Sequence, residues 1–145
     1  MTADSTIPNR RLRVFLCYAH EDREAVLTLY KRLQSDGFQP WMDEEDLLPG
    51  QEWQTEIRKA VRSSDAFLVC LSPRSTTRAG FVHKEIAFAL DIAGEQPEGS
   101  IFVIPLKLEP CTAPEKLGRW HWGLLFRENG YRKLVKSLHH RAEQL

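Results

Sequence analysis

Apolar residues along the chain alternate between short continuous runs and helically spaced series. Val14-Phe15-Leu16-Cys17-Tyr18 reads as a buried strand, after which Ala25, Val26, Leu29 and Leu33 recur at the spacing of one helix face. Glu21, Asp22 and Glu24 stand where the positive end of that helix would favour acids, and Asp36-Gly37 stops it. Residues 38–42 form a second expected strand, in which Pro40 points to an edge or a strand end. Residues 43–50 read as an acidic loop carrying exposed Leu47 and Leu48, followed by Pro49 and Gly50. The next helix places Trp53, Ile57, Ala60 and Val61 on one side, with Glu52, Glu56, Arg58, Lys59 and Arg62 on the other. Ala66-Phe67-Leu68-Val69-Cys70-Leu71, bounded by Asp65 and Ser72-Pro73, has the pattern of a parallel strand covered on both faces. Residues 81–93 are helical, 101–108 a fourth strand and 121–126 a short fifth, and a last helix begins at Tyr131. Residues 1–10 carry no periodic pattern and read as a frayed leader before a single domain spanning 11–145.

Strands and helices in this alternation imply an α/β fold, with a parallel sheet and helices on both of its faces. Ligands of such sheets bind beyond the carboxyl ends of the strands, which directs attention to residues 18–22, 43–50 and 72–80. At 145 residues the chain has room for one core. Its longest apolar runs are six residues, against roughly 20 for a membrane span. No apolar signal-peptide segment is visible, so neither a membrane nor secretion is expected. Cys17 and Cys70 lie in apolar runs and Cys111 leaves an odd count, so buried reduced thiols and a cytoplasmic setting are expected. No Cys/His set has metal-ligand spacing, and His139-His140 reads as a solvated helix end. The formal net charge is zero, which argues against nucleic acid as a partner and leaves little repulsion between copies of the chain.

One residue departs from its helix. At about 100° per residue, Phe81, Val82, Ile86, Phe88, Ala89, Ile92 and Ala93 gather into an apolar arc, and Glu85 falls inside it. An ionised carboxylate buried without a partner is costly. A boundary glutamate paired with Lys84, or with an arginine of another segment, explains it on periodicity alone. Its place on the helix after the third strand, with aromatic Phe81 one turn earlier on the same face, favours a carboxylate turned to a ligand instead.

Four segments carry a family resemblance. Phe81-Val82-His83-Lys84-Glu85-Ile86 resembles the aromatic-Val-x-Lys-Glu-Ile segment of TIR (Toll/interleukin-1 receptor) domains that hydrolyse NAD, in which the aromatic is usually tryptophan. Phe15-Leu16-Cys17-Tyr18-Ala19-His20-Glu21-Asp22 is similar to the family's first strand, with Cys17 where serine is typical. Gly37-Phe38-Gln39-Pro40-Trp41-Met42-Asp43, with Leu47 and Pro49-Gly50, resembles the second strand and its "BB loop". Phe67-Leu68-Val69-Cys70-Leu71-Ser72-Pro73-Arg74-Ser75 resembles the third strand and its Ser-Pro exit. The motifs occur in family order across most of residues 12–106.

The resemblance implies a flavodoxin-like, five-stranded parallel sheet and, for the bacterial NAD-cleaving branch, an NAD+ glycohydrolase. Glu85 would be the catalytic residue, hydrogen-bonded to the ribose hydroxyls beside the scissile bond. Tyr18, Ala19 and His20 would border the nicotinamide and its ribose, and Trp41 could stack on a base. Asp43 and Asp46 would lie in the loop closing the pocket, with Ser72 and Phe81 on its wall. Leu47, Leu48, Pro49 and Gly50 would form an assembly loop that joins TIR domains into an active oligomer or filament. NAD+ would be substrate and no cofactor is implied; the products would be nicotinamide and ADP-ribose or a cyclic variant. The setting implied is immune or cell-death signalling, antiphage defence included. The competing expectation is a non-catalytic adaptor acting through TIR–TIR contacts, and Glu85 discriminates between the two. A phosphoacceptor receiver would need acids where Cys17-Tyr18 and Ser72-Pro73 stand, and no Gly-x-Gly-x-x-Gly, Walker or Gly-x-Ser-x-Gly motif is present.

Overall fold

The computed structural model describes residues 10–76 and 83–145, with side chains from Ile86 onward in the second stretch. Five strands form one wholly parallel sheet: β1 (Arg13–Cys17), β2 (Gln39–Trp41), β3 (Ala66–Leu71), β4 (Val103–Lys107) and β5 (Gly123–Leu124), in the order β2-β1-β3-β4-β5. The helices are α1 (Arg23–Ser35), α2 (Asp43–Asp46), α3 (Trp53–Ser63), α4 (Pro73–Thr76), α5 (His83–Glu95) and α6 (Gly130–Gln144), with 3-10 turns at His20–Asp22 and Glu115–Leu117. None of the described helices is long and apolar enough to cross a membrane.

Alternation along the strands divides the core in two, because successive side chains point to opposite faces. Val14, Leu16, Leu68, Cys70, Ile104 and Leu106 pack with Val26, Leu29 and Leu33 of α1 and with Leu134 and Leu138 of α6. On the other face Phe15, Cys17, Phe67, Val69 and Leu71 pack with Val61 of α3 and with Ile86, Ala89 and Ile92 of α5. All six residues of β3 are buried, as a central strand covered on both sides must be. The expected layers are therefore present, with helices on both faces of the sheet.

Local signals set several boundaries. After α1, Phe38 N donates to Leu33 O (3.0 Å) and Gly37 N to Gln34 O (3.1 Å), closing a Schellman motif. The motif requires a left-handed residue, and Gly37 supplies it at φ 94°. Pro40 lies in β2, which is an edge strand as its proline demands.

Three expectations need correction. The leader does not run through residue 10: Arg10 Nη1 lies 2.6 Å from Asp65 Oδ2, and Arg13 N donates to that same oxygen at 2.8 Å. The carboxylate of Asp65 at the start of β3 thus draws the chain before β1 into the fold, and residues 1–9 lie outside the described residues. The acidic stretch is not all loop, because Asp43–Asp46 closes one helical turn, with Leu47 N donating to Asp43 O at 3.0 Å. Asp46 Oδ2 accepts Met42 N (3.0 Å) and Asp43 Oδ1 accepts Glu44 N (2.8 Å), so carboxylates satisfy amides that a helix start leaves open. Finally, β5 is two residues long rather than spanning 121–126. Pro105 has no N–H to donate, and pairing with β5 begins only at Leu106. The chain then turns immediately, with Arg127 N donating to Leu124 O at 3.1 Å.

That turn brings α6 hard against β5. A Cβ placed on Gly130 would fall 1.9 Å from Leu124 O, so only glycine fits at the first residue of α6. Gly130→Ala is expected to cost about 2 kcal/mol through forced displacement. Urea or thermal unfolding of the variant measures it, and an unchanged midpoint would refute the close approach.

Candidate functional site

The carboxyl ends of β1, β2 and β3 converge at one end of the sheet. Tyr18, immediately after β1, is buried, and its hydroxyl donates to Asp43 Oδ1 at the start of α2 in a very short hydrogen bond. Burial first, then the bond to Asp43 and the charges of Asp43 and Glu44, push the Tyr18 phenol well above its ordinary range, so it stays protonated and remains a donor. Tyr18, Trp41 and Asp43 line one small cavity of about 30 Å³, with Phe15, Leu16, Cys17 and Ile57 completing its wall. Three side chains that the family resemblance implies for the substrate site thus stand at one cavity.

Trp41 is half-buried and fixed by stacking. Its ring lies 5.1 Å from Phe15, which in turn stacks on Phe67 at 5.0 Å, the three residues standing side by side in register across β2, β1 and β3. One face of the indole is thus committed to the core. Ala19 is buried in the same layer, under α3 and α5. His20 is exposed, with Nδ1 3.2 Å from Glu44 Oε2, and so links the turn after β1 to α2 a second time. Asp46 does not reach the cavity. It turns to the opposite core layer, accepting the Tyr30 hydroxyl at 3.3 Å as well as Met42 N, and braces α2.

Ser72, the first residue past β3, is fully buried and belongs to a network that the sequence reading missed. Its Oγ donates to Asp22 Oδ2 at 2.6 Å, and Arg74 Nε donates to Asp22 Oδ1 at 3.0 Å. Ser75 Oγ receives Ser72 N at 2.9 Å, and Arg74 also pairs with Glu109. A buried carboxylate is tolerated when paired and hydrogen-bonded, which Asp22 is. The network ties the exit of β1 to the exit of β3, the segment that precedes α5. Asp22 occupies the N-cap of α1 yet makes no capping bond, because its oxygens are used across the crevice. The sequence signal was Ser72-x-x-Ser75 after the strand, read only as a family exit motif.

Phe81 and the Glu85 side chain lie outside the described residues. The backbone at position 85 does belong to α5, as its third residue. On that helix Ile86, Ala89 and Ile92 are buried while Ala87 and Asp91 are exposed, as the sequence arc required. By helical angle, position 85 falls between Ala89 and Ile92, on the face turned to the sheet.

Cys17 and Cys70 are buried and Cys111 is half-buried. Burial, and then the Asp22 charge, push the Cys70 thiol up to about 12. It remains a neutral thiol and cannot serve as a nucleophile near neutral pH.

Of the assembly residues, Leu47 is half-buried, while Leu48, Pro49 and Gly50 are exposed. Leu48 at 63% exposure and Trp53 at 56% are the most exposed of the large apolar side chains described.

Comparison with known proteins agrees with this architecture. The TIR domain of the Toll-related receptor TRR-2 of Hydra magnipapillata is 26% identical and superposes with a TM-score of 0.71, over 87% of this chain and 97% of that one. TIR domains of the activated Roq1 resistosome, which directly recognizes the pathogen effector XopQ, share the fold at 20% identity and a TM-score of 0.59, over 92% and 82% of the two chains. A prokaryotic SEFIR domain shares it at 16% identity and a TM-score of 0.65, over 88% and 92%. An uncharacterized protein, y4cD, of Sinorhizobium fredii is 29% identical over 153 residues, which cover 98% of this chain and 23% of that protein. The chain thus spans less than a quarter of that relative's length. The family model described as TIR domain matches residues 14–135, and on that match the chain belongs to the TIR domain family.

Proposed function

We propose that this TIR domain is an NAD+ glycohydrolase that cleaves the nicotinamide–ribose bond, with Glu85 as its catalytic carboxylate. The observation that supports the reading is the position of residue 85: third in α5, the helix after β3, at a helical angle between those of buried Ala89 and Ile92. A glutamate there stands at the carboxyl end of a parallel sheet, where ligands of this fold class bind.

The chemistry asks little else of the protein. Nicotinamide in NAD+ is cationic and leaves neutral, so departure needs no general acid. The ribose carbon left behind is oxocarbenium-like, as in glycoside hydrolysis. A carboxylate held against the ribose hydroxyls orients the sugar and opposes the developing positive charge. Asp43 and Glu44, beside Tyr18, give the rim a negative field that suits the cationic ring. No metal and no covalent nucleophile enter this scheme.

A cavity of about 30 Å³ is far below the roughly 300–1,000 Å³ of small-molecule sites. A shift of α2 away from β1, breaking the Tyr18–Asp43 bond, would enlarge this cavity. Contact with another TIR domain through the adjoining loop supplies a cause, since Leu48 and Trp53 offer apolar surface next to that hinge. Lys59 is already paired with Glu56 at 3.6 Å and Arg62 lies over the Phe88 ring at 5.2 Å, so the basic side of α3 is partly engaged within its own chain.

Glu85→Gln is expected to leave the melting temperature unchanged and to lower nicotinamide release on the order of a hundredfold or more. A lower melting temperature with unchanged turnover would make Glu85 a structural residue. Absence of turnover in concentrated or assembled wild-type protein would instead favour an adaptor that acts only through TIR–TIR contacts.

Leu48→Asp tests the role of the loop. With its side chain largely in solvent, the substitution should alter stability by no more than about 0.5 kcal/mol. Specific activity, which should rise with protein concentration in the wild type, is expected to stay low at every concentration in the variant. Activity independent of concentration in both proteins would remove self-association from the mechanism.

A further inference from the structure

A second cleft, of about 480 Å³, opens at the far edge of the sheet, between β5 and α6. It exists because β5 ends after two residues while α6 continues beside it for 15. Lys133, Lys136, Ser137 and His140 recur along α6 at three- and four-residue spacing and make one wall. Arg127 and Trp122 stand on the other side, and Ile104 and Leu134 belong to its apolar lining.

Its electrostatics are one-sided. Arg127, Lys133 and Lys136 are basic side chains, and no Asp or Glu lines the cleft. Among the described residues no ion pair engages any of the three. In a chain whose net charge is zero, this is a local excess that an anion would relieve. The aromatic wall carries a further cation, with Lys107 Nζ 4.1 Å from the centre of the Trp122 ring. Trp122 is nonetheless 39% exposed. The volume lies within the range of roughly 300–1,000 Å³ typical of small-molecule sites.

We propose that this cleft binds an aromatic phosphate of nucleotide size. Lys133, Lys136 and Arg127 hold the phosphates, and the ring lies against Trp122 and the apolar lining. Three residues, about 4.5 Å of helical rise, separate Lys133 from Lys136, which lets both reach a single diphosphate. The combination selects the ligand class. Inorganic phosphate would leave the apolar wall empty, and an uncharged ring would leave the cations unmatched. The site stands at the opposite sheet edge from α2 and uses none of the residues assigned to NAD+ cleavage.

Isothermal titration of the full chain with ADP, adenosine and inorganic phosphate tests the assignment. ADP should bind at least tenfold more tightly than either fragment, and its affinity should fall as salt is raised. The double variant Lys133→Glu/Lys136→Glu, at exposed helix positions, should lose at least tenfold in ADP affinity. Lys133→Gln/Lys136→Gln should fall between it and the wild type. Trp122→Ala should reduce the preference for ADP over phosphate. Glu85→Gln should bind ADP as the wild type does, so failure of NAD+ cleavage and failure of this site are separate results. Equal affinity for ADP and phosphate, or undiminished ADP affinity in the double variants, would overturn the proposal. So would a double variant that fails to self-associate while the wild type ignores ADP, because the cleft would then receive an acidic segment of a second copy.

Discussion

Every side chain of β3, Ala66–Leu71, is buried between two helical layers, and this double coverage governs where the domain can place polar chemistry. A polar group along such a strand would need partners that the packed layers do not offer. Polar chemistry is therefore displaced to the strand ends. At the entrance Asp65 binds Arg10 and the Arg13 amide; at the exit Ser72 meets Asp22. Both ends are held by carboxylates that bridge β3 and the flanks of β1: Asp65 from the β3 side and Asp22 from the β1 side. The exit clamp is the more consequential, because it fixes Ser72 and α4, where the chain leaves β3.

The same constraint explains the character of the candidate crevice. Tyr18 leaves β1 with its ring in one core layer and its hydroxyl on Asp43. Trp41 leaves β2 with its ring on Phe15 and belongs to the other layer. Each aromatic is anchored by packing and offers only a remnant of surface to a ligand. Preorganisation of this kind lowers the cost of ordering a binding site. Beside it, α2 is a single turn held by its own carboxylates and by bonds to Tyr18, His20 and Tyr30.

What could be read from the sequence follows the range of the interactions involved. The end of α1 was legible because a Schellman motif is local, and Gly37 announces it. The burial of α5 was legible because a helical stripe needs only its own period, and Ile86, Ala89 and Ile92 are buried as expected. The length of β5 was not, since it depends on Pro105 in a neighbouring strand and on the contact of Gly130 with Leu124. Asp22 was read as a helix-start acid, the correct local inference. Its oxygens are taken instead by Ser72 and Arg74, 50 and 52 residues away, which no local pattern announces. Tyr18, Trp41 and Asp43 were grouped through family resemblance, and their shared cavity is a tertiary fact that periodicity alone does not contain.

Net charge was the least informative number in the sequence, and the sheet order shows why. A total of zero is a sum over the molecule, whereas a ligand responds to the field where it binds. Asp43, Glu44, Glu45 and Asp46 gather on α2, beside edge strand β2. Arg127, Lys133 and Lys136 gather around the cleft at the opposite edge, β5. Within either group the charges lie within about one Debye length of one another and reinforce; across the sheet, solvent screens one group from the other. The edge at β2 therefore carries a negative field and the edge at β5 a positive one. Two regions of opposite sign on one small domain can therefore serve different chemistries without compromise, provided the sheet keeps them apart. A parallel sheet with β2 and β5 at its two edges does that by topology alone.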